Sequence, residues 1–226
     1  MKEVFVVCGC HPWNERAFER IARLPGEWHY IGSKEELTIR NLDALQPKKI
    51  FFLHWSWMVP QDIVDRFECI NFHMTDLPYG RGGSPLQNLI LRGHAETKLT
   101  AHRMTTEVDA GPVYLKETMS LEGTAREILE RSGMLAAQMI GTIVRENPAP
   151  KAQTGTVVLF ERRTPEMSEI PANLTPKERY DFIRMLDCEG YPAAFEIIDG
   201  IRVEYRNARL HNGRLEADKT PIPPQS

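Results

Sequence analysis

The chain is poor in cysteine. Its four thiols, at positions 8, 10, 69 and 188, show no C-x-x-C spacing, which argues against a zinc site and a disulfide scaffold. Free buried thiols in a reducing cytoplasm are expected. Long apolar runs are missing too: Ile50-Phe51-Phe52-Leu53 is among the longest, far too short to span a bilayer. No charged leader followed by an apolar stretch and a cleavage site opens the sequence, so a cytoplasmic protein with no membrane partner is expected. Nor is there an excess of positive charge. With 28 basic against 31 acidic residues the net charge is −3, and no nucleic-acid partner is expected. Gly9-Cys10-His11-Pro12 lacks the G-x-G-x-x-G fingerprint, and the loop from Tyr79 to Ser84 lacks Gly-Lys-Ser/Thr. Dinucleotide binding and a Walker phosphate loop are thereby excluded. His11, His29, His94, His102 and His211 form no metal spacing, so no metal is expected.

What is present is a regular alternation. At 226 residues the chain can bury a real core and suits a large domain with a smaller annex. Lys2 to Cys8, Trp28 to Ile31, Lys49 to His54 and Phe67 to Phe72 are short apolar runs, expected as buried strands. Helices are expected between them. One is capped by Asn14, one opened by the capping box Ser33-Lys34-Glu35-Glu36, and one started by Pro60. Four such repeats predict an α/β fold, a Rossmann-like, mostly parallel sheet with helices on both faces. A helix from Ser84-Pro85 to about Arg92, extended runs at Leu99 to Thr105 and Pro112 to Met119, and an amphipathic helix from Thr124 to Arg145 complete residues 1–150. Asn147-Pro148-Ala149-Pro150 marks the expected boundary. Residues 151–226 read as a small α+β subdomain. It holds a strand at Gly155 to Glu161, a capped helix at Thr175 to Asp187, and strands at Phe195 to Ile198 and Ile201 to Tyr205 joined by Asp199-Gly200. A proline-rich tail, Lys219 to Ser226, is expected to lie extended over the surface.

The chemistry concentrates between Ile70 and Gly111. Side chains repeat every second residue along a strand, so Asn71 and His73 share a face. They sit at the carboxyl end, where open α/β sheets hold their ligands. Asp109 falls at a bend between two extended runs, and Asp-Ala-Gly is also ordinary turn chemistry. Together the three suit acyl transfer to an amine. An amide N–H can stabilise a developing oxyanion, and an imidazole can move a proton or donate to that oxyanion. The carboxylate would hold the imidazole's tautomer and raise its pKa. No serine or cysteine is placed as a covalent nucleophile, and the apolar setting of Cys69 marks an inert thiol. His54-Trp55-Ser56-Trp57 follows the third strand at the same edge, either as core caps or as a wall for a flat heteroaromatic cofactor.

Asn71-x-His73, the run from Leu77-Pro78 through Arg81-Gly82 to Pro85, and Asp109-x-Gly111 resemble the folate-dependent formyltransferases over about residues 1–150. The resemblance implies that Asn71, His73 and Asp109 are the catalytic trio and that 10-formyltetrahydrofolate is the formyl donor. It also implies that the pteridine is held largely by main-chain groups of Trp57-Met58-Val59, with Met104, Thr105 and Thr106 closing the pocket. Tyr79, Arg81, Gly82, Gly83 and Ser84 form a loop expected to contact the acceptor. Cys8 to Trp13 lacks the phosphate loop of the glycinamide ribonucleotide enzymes, and the annex is smaller than that of the methionyl-tRNA enzymes. Phe51 to Pro60, Tyr180 to Asp187 and Gly190 to Phe195 look like the sugar N-formyltransferases of pseudaminic-acid-type pathways. The expected acceptor is therefore a nucleotide-linked amino sugar, such as a UDP-linked 4-amino-4,6-dideoxy sugar, with Arg184 and Tyr191 contacting its nucleotide. The alternatives are an aminoacyl carrier or tRNA, glycinamide ribonucleotide, or a catalytically silent folate-binding relative.

Overall fold

A computed structural model describes residues 2–223. In chain order the first elements are β1 (Val4–Gly9), α1 (Pro12–Ile21), β2 (Glu27–Ile31), α2 (Ile39–Leu45), β3 (Lys49–Leu53), α3 (Gln61–Arg66) and β4 (Cys69–His73). β5 (Tyr79–Gly82), α4 (Pro85–Leu91), β6 (Glu96–Arg103), β7 (Val113–Ser120), α5 (Ala125–Glu146) and β8 (Val158–Phe160) follow. The main sheet has the order β2-β1-β3-β4-β6-β7, parallel across its first four strands, with β6 antiparallel to β4. Alternate residues serve opposite faces, as strand geometry requires. Val6, Cys8, Ile50, Phe52 and Cys69 pack with Leu42, Ile63 and Phe67. Phe5, Trp28, Phe51 and Phe72 stack in a chain of aromatic contacts instead. Each fully buried phenylalanine contributes about 2–3 kcal/mol, so the continuous apolar runs are explained by burial on both sides.

Local chemistry moved several boundaries. α1 starts at Pro12, where the missing N–H costs least, so Asn14 is not the cap but the third helical residue. Its Oδ1 accepts the His11 N–H at 3.1 Å. α2 is capped by Thr38, whose hydroxyl accepts from the Asn41 N–H at 3.2 Å, and not by the Ser33 box. β5 occupies the glycine-rich stretch read as a loop, and pairs with β8 in a two-stranded sheet.

The chain forms two compact units. One runs up to Gly82 and takes in Thr97–Met119 and Leu129–Leu159; the other holds Gly83–Glu96, Ser120–Ile128 and the residues from Phe160 on. In the second, α6 (Pro176–Arg184) is capped by Thr175 and Glu178 reciprocally and packs on a three-stranded antiparallel sheet. That sheet has the order β11-β10-β9, with β9 (Ala194–Ile198), β10 (Ile201–His211) and β11 (Arg214–Ile222). Lys219 to Ile222 therefore belongs to a strand rather than to a loose tail, and Pro221 pairs with Val203. Proline is tolerated there because β11 is an edge strand. Residues 224–226 of the expected tail lie outside the described residues. No described helix is long and apolar enough to cross a membrane.

Candidate active site

β4 delivers Asn71 and His73, and the antiparallel register of β6 sets His102 opposite Asn71. The link between β6 and β7 brings in Asp109 with φ +53°. Its Oδ2 accepts the Gly82 N–H at 3.0 Å and lies 3.6 Å from His73 Nδ1. Its Oδ1 lies 3.5 Å from Asn71 Nδ2 and 3.4 Å from His102 Nε2. The three residues expected to be catalytic thus meet, and a fourth, His102, meets them. His73 donates from Nε2 to the Gly80 carbonyl at 2.8 Å, which leaves Nδ1 as the ring's bare nitrogen in the neutral form. His102 donates from Nδ1 to the Arg103 carbonyl at 3.0 Å. Its Nε2 lies 3.3 Å from the Asn71 amide nitrogen, and Asp109 Oδ1, a carboxylate oxygen that only accepts, fixes which end of that amide is N–H.

Two further residues hold the carboxylate in place. Gln153 donates to the carbonyls of Asp109 (2.7 Å) and Gly111 (2.9 Å) and accepts from Arg81 Nη2 at 2.9 Å. At Gly111 an added Cβ would stand 1.8 Å from the Arg103 carbonyl oxygen. The glycine of the Asp109-x-Gly111 pair is there because two backbones touch. Neither His102 nor Gln153 stood out in the sequence. His102 has the same strand parity as Thr100, but only the register reveals that it faces Asn71.

The electrostatics separate the two titrating groups. Burial pushes the Asp109 carboxyl up, but the imidazoles of His102 and His73 and the Gly82 N–H outweigh it and hold the pKa at about 2. His73 is lowered from its ordinary value of 6.5, because burial disfavours the charged ring more than Asp109 favours it. This reverses the expectation that the carboxylate would raise it. At neutral pH the pair is a carboxylate beside a neutral imidazole. The Cys69 thiol is pushed up to about 12 by burial and is inert.

The segment after β3 has an exposed wall. Met58 is 81% exposed and Trp57 38%, while Trp55, Val59 and Met104 all pack against one core cluster. The indole N–H of Trp55 is buried without a partner. Across from it, Met104 donates its N–H to the Cys69 carbonyl at 2.8 Å, Thr105 donates to the Glu107 carbonyl at 3.0 Å, and Thr106 is exposed. An apolar wall beside an unspent buried donor fits a flat heteroaromatic ring such as a pteridine.

The remaining expected contacts are placed as follows. Tyr79, Arg81 and Gly82 lie on β5, and Arg81 also pairs with Glu107 at 3.1 Å. Gly83 donates its N–H to the Phe160 carbonyl (3.1 Å), and Ser84 accepts the Arg163 N–H (3.0 Å). Arg184 is buried inside the second unit, where it donates to the carbonyls of Leu121 (2.6 Å) and Gly123 (2.8 Å) and pairs with Asp181 (2.6 Å). Its guanidinium is a strut, which corrects the expectation that it contacts a nucleotide. Tyr191 is half-buried and closes a turn with Cys188 at 3.2 Å. No cluster of metal ligands occurs among the described residues.

A mostly parallel sheet with an amide, two imidazoles and a carboxylate at its carboxyl edge defines an α/β group-transfer domain. The chain belongs to the formyl transferase family, whose model matches residues 22–136. It is a folate-dependent formyltransferase, and formyl-tetrahydrofolate is the donor. A second model, the C-terminal domain of methionyl-tRNA formyltransferase, matches residues 165–220. A solved structure described as methionyl-tRNA formyltransferase from Clostridium thermocellum is 38% identical, with a TM-score of 0.95, over 97% of this chain and 99% of that one. The methionyl-tRNA formyltransferase of Rickettsia massiliae is 27% identical over 93% of this chain and 72% of its own length. Across such curated relatives the chain spans between 62% and 73% of their length. A 4-N formyltransferase from Francisella tularensis shares the fold at 18% identity and a TM-score of 0.67, over 89% of this chain and 95% of that one. These relatives overturn the expected nucleotide-sugar acceptor, and with it the expectation that no nucleic acid is a partner. The small annex was no argument against the methionyl-tRNA enzymes, since their C-terminal model matches within it.

Proposed function

We propose that this protein formylates the amine of an aminoacyl-tRNA, the methionyl-tRNA for which its relatives are named, in the cytoplasm. The observation carrying this reading is the 38% identity to the Clostridium thermocellum protein over nearly the whole of both chains. In this reading residues 1–150 are the catalytic domain and 151–226 the C-terminal subdomain. Trp57, Met58, Val59, Met104, Thr105 and Thr106 line the folate pocket, and the β5 residues Tyr79, Arg81 and Gly82 serve the acceptor.

10-Formyltetrahydrofolate supplies the electrophilic formyl carbon. Asn71 directs one amide N–H toward His102 and Asp109 and keeps the other for the formyl oxygen as negative charge grows on it. The 3.6 Å between His73 Nδ1 and Asp109 is longer than a hydrogen bond, so the Nδ1 lone pair is open to the incoming amine. Nδ1 takes the amine proton as the new C–N bond forms. The imidazolium then keeps its Nε2–H on the Gly80 carbonyl, has its charge offset by the Asp109 carboxylate 3.6 Å from Nδ1, and returns the proton to the departing folate nitrogen. Asp109 remains ionised throughout. Incubation with initiator methionyl-tRNA and 10-formyltetrahydrofolate should yield formyl-methionyl-tRNA. No product with enzyme at the substrate's own concentration would overturn the acceptor.

A further inference from the structure

His54 directly follows β3, at the start of the segment His54-Trp55-Ser56-Trp57, yet its ring takes no part in the chemistry above. The residue is half-buried, and its backbone has φ +47°, a left-handed conformation that a residue with a side chain adopts only when its surroundings impose it. Trp13 Nε1 lies 3.1 Å from its Nδ1, and Asn14 Nδ2 lies 3.0 Å from the same nitrogen. The roles are forced. Indole is a donor only, and the Asn14 oxygen is already taken by the His11 N–H at 3.1 Å, so the amide's NH₂ must face the ring. Two donors therefore converge on Nδ1, which carries no proton. The ring proton sits on Nε2 and is donated to Ser132 Oγ at 3.1 Å, on helix α5. Gly9 makes room for this arrangement, since a Cβ there would stand 2.6 Å from Asn14 Cβ. The Cys10 thiol, 3.4 Å from the His54 carbonyl and from Ser56 Oγ, ties the next residues to the same knot.

We infer that His54 is a positioning residue for the folate donor. Its single neutral tautomer clamps the start of α1 and the middle of α5 to the chain leaving β3, and so presets the backbone from Trp55 to Val59 on which the pteridine rests. This rests on the proposed folate pocket. The competing account is a histidine satisfied in the core that serves stability alone. The two differ in what they move. A stability residue lowers Tm and leaves ligand affinity unchanged in the folded protein. A positioning residue weakens the folate and spares the acceptor.

The test is calorimetric titration of tetrahydrofolate, with steady-state kinetics, for His54→Leu, His54→Asn, Trp13→Phe and Ser132→Ala. Asparagine places an acceptor where Nδ1 stands and is the conservative rescue. We expect His54→Leu to weaken folate by about tenfold and the single-bond variants Trp13→Phe and Ser132→Ala by about threefold, the scale of a lost hydrogen bond. His54→Asn should recover most of the loss. The KM for the acceptor should stay within about twofold in all four. Should His54→Leu fail to fold, the single-bond variants carry the test alone. Unchanged folate affinity in folded variants, or a fall in kcat with folate KM unmoved, overturns the positioning role. Val59→Pro in the same assay separates the layers. Unchanged affinity there removes the folate pocket and this inference with it, whereas a loss there beside unaffected His54, Trp13 and Ser132 variants overturns the positioning role only.

Discussion

Replacing Asp109 by asparagine isolates the charge of the trio. The amide has nearly the carboxylate's shape, and its oxygen can still accept the Gly82 N–H. What disappears is a negative charge 3.6 Å from the nitrogen at which His73 acquires its proton. Two unit charges at that separation interact by about 4–5 kcal/mol at an effective dielectric near 20. The imidazolium exists only once the amine has begun to react, so the loss falls on the barrier and not on binding. If half or more of that energy is realised, kcat falls by about 10²- to 10³-fold, while KM for formyl-tetrahydrofolate stays put. Single-turnover measurement removes product release from the comparison, and near-ultraviolet circular dichroism checks the fold. A second reading comes from pH. Without the carboxylate only the Gly80 carbonyl offsets the burial of His73, so the acid limb of the rate should move to lower pH. A folded Asp109→Asn enzyme within about threefold of the parent would refute this assignment of roles.

Four other outcomes follow from the same geometry. The parent's rate should rise with pH through a midpoint below 6.5 and be level from about pH 7, since His73 is lowered and works as the neutral base; a midpoint above 7 would mean that Asp109 outweighs burial. The depressed Asp109 carboxyl adds stability that is present above the usual carboxylate range and lost as pH falls toward about 2, so urea unfolding of Asp109→Asn should be the less pH-dependent of the two over that acid range. His102→Leu frees the Asn71 amide to turn, and should lower kcat about tenfold with folate affinity unchanged; equal kcat would leave His102 as core packing. Gly111→Ala must push the Arg103 carbonyl aside, so a loss of about 2 kcal/mol or more in urea unfolding is expected, and a neutral result would deny the close approach.

The parallel half of the fold was legible because burial on both faces writes itself as uninterrupted apolar runs. Each of the first four strands was placed within about two residues of its observed bounds, the usual error for element ends. Elements whose stability comes from pairing were harder. β5 is a run of Tyr-Gly-Arg-Gly with poor intrinsic strand character, and it exists because three residues of β8 pair with it. It matters, since its last residue gives Asp109 an N–H. β11 hid behind its prolines, which an edge strand accommodates and a central one would not. The site was half visible for a related reason. Asn71 and His73 are two apart in one strand, and Asp109 lies in the bend between two extended runs, β6 and β7. His102 reaches the Asp109 carboxylate through strand register, and Gln153 reaches the Asp109 backbone carbonyl from a distant segment, which no local spacing encodes.

The acceptor was illegible in a different way, and charge arithmetic is where the reasoning failed. A net charge of −3 argues against RNA only if every charge contributes to the field an approaching phosphate meets. In the second unit many do not. Asp181 pairs with Arg184 at 2.6 Å in a nearly dry setting, Glu196 holds both Arg179 (2.5 Å) and the Tyr205 hydroxyl, and Asp187 lies 3.7 Å from Arg206. Pairs of this kind cancel locally and are felt outside only as weak dipoles. A formal sum already cancels such pairs; what it does not record is where the unpaired charges lie. With a Debye length of about 8 Å at physiological salt, a polyanion responds to the charges within that distance of its own phosphates, not to the sum over a chain of 226 residues. The sum therefore excluded RNA on a quantity that RNA would not sense, whereas the likeness to methionyl-tRNA enzymes spans nearly the whole fold.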